Sequence, residues 1–275
     1  MNRGWTAVSA GVLAILAVYN PVFPGLVHEW YTFPSLSHGF AVPFIAAYLV
    51  WVRRADLAAS SVAPSLAGLP VLAGGLVLYV LGSLSNEPFI ARLSLLVSLT
   101  GTVLFLAGPA ITRRSVAAIA YLFFMLPLPY VTVKGLTDDL RILEATASAG
   151  LLPWIGVPVL QNGFLLQLPT VTLEVAEVCS SVPAILALLA LGAAFGYVTR
   201  RPWTTTLIFS IAAVPLGLGA NIVRIVTTAA GYHYVGPIAL NSVVHTWHGT
   251  VVFLLTLGAL SLLDIGLHRL RVRVA

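Results

Sequence analysis

The run SVPAILALLALGAAFGYVT, at residues 181–199, contains no charged side chain and is followed at once by Arg200 and Arg201. A helix that crosses a bilayer needs about 20 predominantly apolar residues. Basic residues directly after such a run are typical of the cytoplasmic end of a span. This stretch therefore predicts a transmembrane helix.

The same character extends over the whole 275-residue chain, which is 59% apolar and 8% charged. A soluble chain of this length would carry roughly 70 charged residues, whereas this one has 14 basic and 9 acidic residues. At about 20 residues per span, its apolar content is enough for about eight spans. The composition excludes a soluble domain or a disordered tail, and a single cysteine excludes a disulfide scaffold. It predicts an all-α polytopic membrane protein.

Eight apolar runs, with no internal repeat, predict a single transmembrane domain over residues 1–275. The predicted spans are 5–23, 39–52, 67–84, 91–111, 115–130, 181–199, 204–230 and 244–267. No small-x-small cleavage site follows the first run, so it is predicted to be a retained span and not a removed signal peptide.

The basic residues predict the orientation of these spans. With a cytoplasmic N-terminus, the inner side receives Arg3, Arg53, Arg54, Arg113, Arg114, Arg200, Arg201, Arg269, Arg271 and Arg273. The outer side receives only Arg92, Lys134 and Arg141, and Arg224 lies within a span. This bias predicts that both termini are cytoplasmic. The net charge of +5 arises from these flanking residues and not from a basic face, so no nucleic-acid partner is predicted.

The longest segment between spans, about 131–178, is predicted to form a small extracytoplasmic cap between the fifth and sixth spans. Apolar residues recur at helical spacing from Val133 to Leu151, with acidic and basic residues between them, which predicts an amphipathic helix on the membrane surface. Residues 157–161 and 164–168 flank Asn162-Gly163, which is the turn dipeptide of a tight hairpin.

Polar residues close to the ends of the spans are the candidates for function, because such residues are costly in a membrane. Cys179 precedes a helix start with a serine N-cap, where the helix dipole favours a thiolate. Arg224 shares a helical face with Asn221. The remaining candidates are His38, His245 and His248.

The predicted topology brings three of these residues to one membrane depth. Cys179 opens the sixth span on the outer side, Arg224 lies near the outer end of the seventh, and His245 opens the eighth. A nucleophile, an oxyanion stabiliser and a proton-transfer group are what acyl transfer by a cysteine requires.

Four short motifs carry a resemblance to a known family. They are EVAEVC at 174–179, Asn-x-x-Arg at 221–224, His-x-x-x-Gly at 245–249, and Ser-His-Gly at 37–39 with Val-Pro at 42–43. In this order on eight spans, they resemble the exosortase/archaeosortase family.

That resemblance implies a membrane transpeptidase, or cysteine peptidase, acting on exported proteins. Their C-terminal sorting signal has a short motif (Pro-Glu-Pro in bacteria), a transmembrane helix and a basic tail. By analogy with sortases, Cys179 would attack the peptide carbonyl, Arg224 would stabilise the oxyanion, and His245 would protonate the leaving amine. The thioester would then pass to an acceptor nucleophile. Supporting or substrate-binding roles are implied for Asn221, His38, Glu177 and His248. Beyond the substrate and the lipid bilayer, no cofactor and no metal is predicted.

Two other classes remain open from the residues alone. A transporter or channel with a polar pocket at its outer edge is one, although polar groups at several depths are expected there. The other is a metal-dependent membrane enzyme that uses His38, His245 and His248 as ligands.

Overall fold

The computed structural model describes residues 3–176 and 180–274, most of which are helical. The helices are α1 Arg3–Val18, α2 Phe23–Thr32, α3 Val42–Val52, α4 Arg54–Ala58, α5 Gly68–Leu84, α6 Pro88–Ala107, α7 Pro109–Tyr121, α8 Tyr130–Leu151, α9 Ser181–Val198, α10 Trp203–Val235 and α11 Ser242–Val274. Three short strands are β1 Leu160–Asn162, β2 Leu165–Gln167 and β3 Thr172–Glu174. The chain is an all-α polytopic membrane protein, which confirms the predicted fold class.

The membrane-spanning helices follow the apolar runs of the sequence. Among the described residues, five helices are long and apolar enough to cross a membrane, or up to six if a bent pair at the N-terminus is one span. The five are Ser35–Val52, Pro88–Ala107, Ser181–Val198, Thr204–Val235 and Thr246–Leu263. A shorter apolar helix, Gly68–Leu84, lies between the first two. The count of eight spans stays a prediction.

The first predicted span, 5–23, is not one straight helix. α1 ends at Val18, a 3₁₀ turn follows at Asn20–Val22, and α2 continues at 48° to the first helix. Pro21 and Pro24 account for the break, because proline donates no backbone hydrogen bond and its ring clashes with the preceding helical turn.

The chain divides into two compact units, Met1–Pro129 and Tyr130–Ala275, and each is described by itself. The single transmembrane domain that the sequence predicts over 1–275 stays a prediction.

The first unit is built around the close approach of α5 and α6. A Cβ at Gly75 or at Gly101 would collide with the backbone of the opposite helix, and small residues at such contacts are typical of helix packing in membranes. The fully buried Tyr19 binds α6 through its hydroxyl, which lies 2.8 Å from Ser94 Oγ and 2.9 Å from Ser98 Oγ. Polar side chains therefore connect the helices of this unit as well as apolar packing.

In the second unit, a small antiparallel sheet packs between two helices. The strand order is β1–β2–β3, with Asn162 opposite Leu165 across the predicted Asn-Gly turn and Leu166 opposite Leu173. The buried apolar cluster contains Ala145 of α8, Leu152, Val157, Leu166, Leu168, Val175 and Ala229 of α10. The predicted helix and hairpin are present between residues 131 and 176, and their position outside the membrane stays a prediction.

The amphipathic helix α8 buries its polar face and exposes its apolar one. Arg141 is 4% exposed and Glu144 is fully buried, whereas Leu136 is 60% exposed and Leu143 is 49% exposed. Buried charged residues beside exposed leucines are the reverse of the usual arrangement in a soluble protein. The polar side of α8 therefore belongs to the interior of the second unit.

Candidate functional site

The start of α9 is the centre of the candidate site. Cys179 and Glu177, both predicted site residues, lie outside the described residues, which resume at Ser180. Ser180 occupies the N-cap position of α9 with extended backbone dihedrals of −74° and 162°, as the sequence predicts. Its side chain makes no capping hydrogen bond to the described residues that follow it.

A carboxylate from another helix takes that place. The backbone N–H of Ser181 donates to Oε1 of Glu144 at 3.0 Å, so α8 supplies the acceptor for the first turn of α9. Acceptors at this position satisfy one of the N–H groups that a helix start leaves without an intrahelical partner. A carboxyl oxygen at this position also complements the positive end of the helix dipole.

The other oxygen of Glu144 connects the site to α10. Asn221 Nδ2 donates to Oε2 of Glu144 at 2.7 Å, and both side chains are buried. Burial is the largest influence on the pKa of the Glu144 carboxyl and raises it above its ordinary value, although hydrogen bonds from Ser181 and Asn221 act in the opposite direction. Glu144 therefore joins three helices through one side chain.

Arg224 lies one turn beyond Asn221 on α10 and contacts α11. A Cβ built on Gly249 would lie 3.1 Å from both Cζ and Nη2 of Arg224. The guanidinium therefore lies directly against the backbone of α11, at a position where a larger residue would force it to move. This contact gives the glycine of the His-x-x-x-Gly motif a physical role.

Arg224 is not at the end of its helix. α10 continues to Val235, past the predicted end of the span at residue 230, so eleven residues follow Arg224, or about 16 Å of helix. Asn221 is level with the start of α9, because Glu144 contacts both.

The two histidines of α11 differ in what the structure describes. Nε2 of His248 lies 2.9 Å from Thr227 Oγ1, and its Nδ1 lies 3.3 Å from Thr228 Oγ1, so this ring is held against α10 beside Arg224. His245 lies in the first turn of α11, one turn before Gly249, and its side chain is outside the described part of the chain. The choice of His245 over His248 stays a prediction.

His38 belongs to the first unit. It lies in a 3₁₀ segment, Pro34–Phe40, and its Nε2 is 3.1 Å from the carbonyl oxygen of Phe124. In the same unit, Arg92 forms a bidentate ion pair with Glu29, with Nη2 2.6 Å from Oε1 and Nη1 3.0 Å from Oε2. Within the described ranges, His, Cys, Asp and Glu form no group of three or more that could hold a metal ion.

Sequence reasoning missed Glu144 as a site residue. Its signal is the recurrence of Thr137, Arg141, Glu144 and Ser148 at intervals of four, three and four, which marks one polar stripe on α8. All four residues are buried. A continuous polar stripe opposite an apolar one identifies the two faces of a helix, and the structure shows that the polar stripe is buried.

The second unit thus presents a helix start and an amide bound to one buried carboxylate, with a guanidinium and an imidazole further along α10 where it meets α11, within a multi-pass membrane protein. A family model described as Transmembrane exosortase matches residues 30–262. No curated protein and no solved structure matches the chain.

The chain therefore belongs to the transmembrane exosortase family. It is a membrane peptidase or transpeptidase of exported proteins that carry C-terminal sorting signals.

Proposed function

We propose that this exosortase is a cysteine transpeptidase whose nucleophile is Cys179, with Arg224 stabilising the oxyanion and His245 transferring the proton. The observation that carries the proposal is the contact of Arg224 with Gly249, together with the connection of Asn221 to Ser181 through Glu144. Through these contacts, α8 connects the start of α9 to α10, and α10 contacts the first turns of α11.

The chain itself supports the position of the nucleophile. Cys179 is two positions before Ser181 in the sequence, and two steps along the chain span at most about 7 Å between Cα atoms. Ser181 N–H is held by the same carboxylate that accepts from Asn221, one turn from Arg224. A thiolate near the start of α9 would also be favoured by the helix dipole.

The proposed reaction has two steps. In the first, the sulfur of Cys179 attacks the carbonyl carbon of the scissile peptide, and electrons move to the carbonyl oxygen, which faces the Arg224 guanidinium. The tetrahedral intermediate collapses to a thioester as the carbon–nitrogen bond breaks, and the leaving amine takes a proton from His245. The released fragment is the transmembrane helix and basic tail of the substrate.

In the second step, an acceptor nucleophile attacks the thioester carbonyl and gives its proton to His245. The carbon–sulfur bond breaks, and the thiolate of Cys179 is restored. No oxidant or external cofactor is needed for either step.

The same proposal places this chemistry at the extracytoplasmic face of a prokaryotic cell membrane, with both termini in the cytoplasm. The distribution of basic residues supports it: ten flank the spans on one side and three on the other. The strongly apolar sorting-signal helix would reach the site through the lipid.

The test is replacement of Cys179 by alanine. We expect the variant to insert in the membrane at the wild-type level and to lose processing of a signal-bearing substrate, because no other thiol is present in the chain. The measurement is the mass of the substrate recovered from cells or proteoliposomes. Ser261→Ala, which removes an exposed hydroxyl from α11 of the same unit, is the matched control. Full processing by Cys179→Ala would end the proposal.

A further inference from the structure

Glu144 is a buried carboxyl that the proposed reaction does not use. It is fully buried, and each of its oxygens accepts a hydrogen bond from a different helix, Ser181 of α9 at 3.0 Å and Asn221 of α10 at 2.7 Å. An acid with no exposure is costly unless its partners are well placed. By accepting these two hydrogen bonds, Glu144 fills a role that an apolar residue could not supply.

A second charged residue of α8 holds the chain on the other side of Cys179. Arg141, one turn before Glu144, donates from Nε to the carbonyl oxygen of Val175 and from Nη2 to Glu174 Oε1 at 3.0 Å. Its guanidinium carbon also lies 4.0 Å from the centre of the Phe164 ring. Arg141 thus fixes the end of β3 to α8.

The two residues act on the two ends of one short segment. Arg141 holds residues 174 and 175 and Glu144 holds residue 181, and both side chains project from the same face of the same helix. A helix is rigid over one turn, so the distance between these two attachments is set by α8 and not by the intervening chain. Misplacement of a reacting group by about 1 Å can cost two orders of magnitude in rate.

We propose that Glu144 is a positioning residue for the reaction and that Arg141 assists it. Glu144 sets the start of α9 against Asn221 of α10. Together, Arg141 and Glu144 would position the proposed nucleophile, Cys179, for reaction beside Arg224. This inference rests on the proposed role of Cys179. It assigns Glu144 no contact with the substrate.

The experiment compares Glu144→Gln with the double variant Glu144→Gln/Asn221→Asp. In the single variant an amide group faces the amide of Asn221, so one donor opposes another. The double variant exchanges donor and acceptor between the two positions, and it keeps the size, the net charge and both hydrogen bonds. Asp139→Asn, which removes an exposed carboxylate from the same helix, is the control.

Two measurements are made on the purified full-length protein. The first is hydrogen–deuterium exchange of peptides that span the start of α9, which reports the Ser181 N–H without any catalysis. The second is the kcat and KM of substrate processing in proteoliposomes. We expect faster exchange and a kcat lower by about tenfold in Glu144→Gln, the change that loss of one hydrogen bond to a charged group produces. The KM stays the same, and the double variant regains both properties.

Arg141→Gln tests the proposed assisting role of Arg141 independently. We expect faster exchange in peptides that cover residues 172–176 and a lower kcat, with thermal stability measured in parallel. Exchange and kcat in Glu144→Gln equal to those of Asp139→Asn would overturn the inference. So would faster exchange with unchanged kcat, or failure of the double variant to recover activity when its exchange has recovered. Persistent processing by Cys179→Ala refutes the proposed nucleophile instead, and the exchange result is unaffected by that outcome.

Discussion

Replacement of Gly249 by alanine tests whether the position of the Arg224 guanidinium matters for the reaction. The new Cβ would lie 3.1 Å from Cζ and from Nη2 of Arg224. Carbon atoms in favourable contact are about 3.5–4.0 Å apart, so the guanidinium has to move away from α11 by about 0.4–0.9 Å.

The size of that displacement sets the expected loss. Removal of an oxyanion donor costs about 10²–10³ in rate, and a misplacement of about 1 Å can cost about 10². A shift of several tenths of an ångström with the donor retained should therefore reduce kcat by about tenfold. Gly249→Val should reduce it further, because a branched side chain excludes the guanidinium from a larger volume.

The control is Gly258→Ala on the same helix. A Cβ at Gly258 meets no described atom within 4 Å. Both substitutions gain the same helix propensity, about 1 kcal/mol, so a difference between them reports the contact with Arg224. The assay is the initial rate of substrate cleavage in proteoliposomes at equal amounts of enzyme. Equal rates for Gly249→Ala and Gly258→Ala would refute the reasoning, since the guanidinium would then have moved without consequence.

Three further predictions concern Arg224, the two histidines of α11 and the orientation of the chain in the membrane. Arg224→Lys should lose at least about 10² in processing rate, because a compact ammonium does not reproduce the planar fork of donors; near-wild-type activity would reduce Arg224 to an anchor. His245→Ala should lower the rate of substrate processing far more than His248→Ala. If both variants lose all processing activity and added zinc restores it, metal ligation would be favoured instead. In a Cys179→Ala background, single cysteines near residues 140 and 238 should react with an impermeant thiol reagent from outside, and those near 54, 113, 201 and 270 should not; labelling of residue 140 from the cytoplasm would contradict the orientation.

The span at 181–199 was predictable because the information it needs is local. The run at 181–199 contains its own length, its apolar character and its basic flank, and α9 covers 181–198. The bend in the first predicted span has a local cause as well. Pro21 and Pro24 stand within and just after an apolar run, and hydropathy alone does not register the lost backbone hydrogen bond.

Glu144 was not predictable in the same way. The spacing of residues along α8 separates a polar face from an apolar one, but it does not specify which face is buried. That depends on Ser181 and Asn221, which are 37 and 77 residues away in the sequence. The site residues Asn221 and Arg224 stood out from the sequence because polar groups inside an apolar helix are conspicuous, whereas an acid on an amphipathic helix is not.

The orientation of α8 limits how the region between α7 and α9 can be handled in the laboratory. A recombinant fragment of residues 130–176 would expose Leu136 and Leu143 to water and leave Glu144 without the donors from α9 and α10. Such a fragment would aggregate or rearrange, since it exposes apolar side chains and its acidic side needs two helices that follow later in the chain. Binding studies with sorting-signal peptides therefore require the intact polypeptide in a lipid or detergent phase.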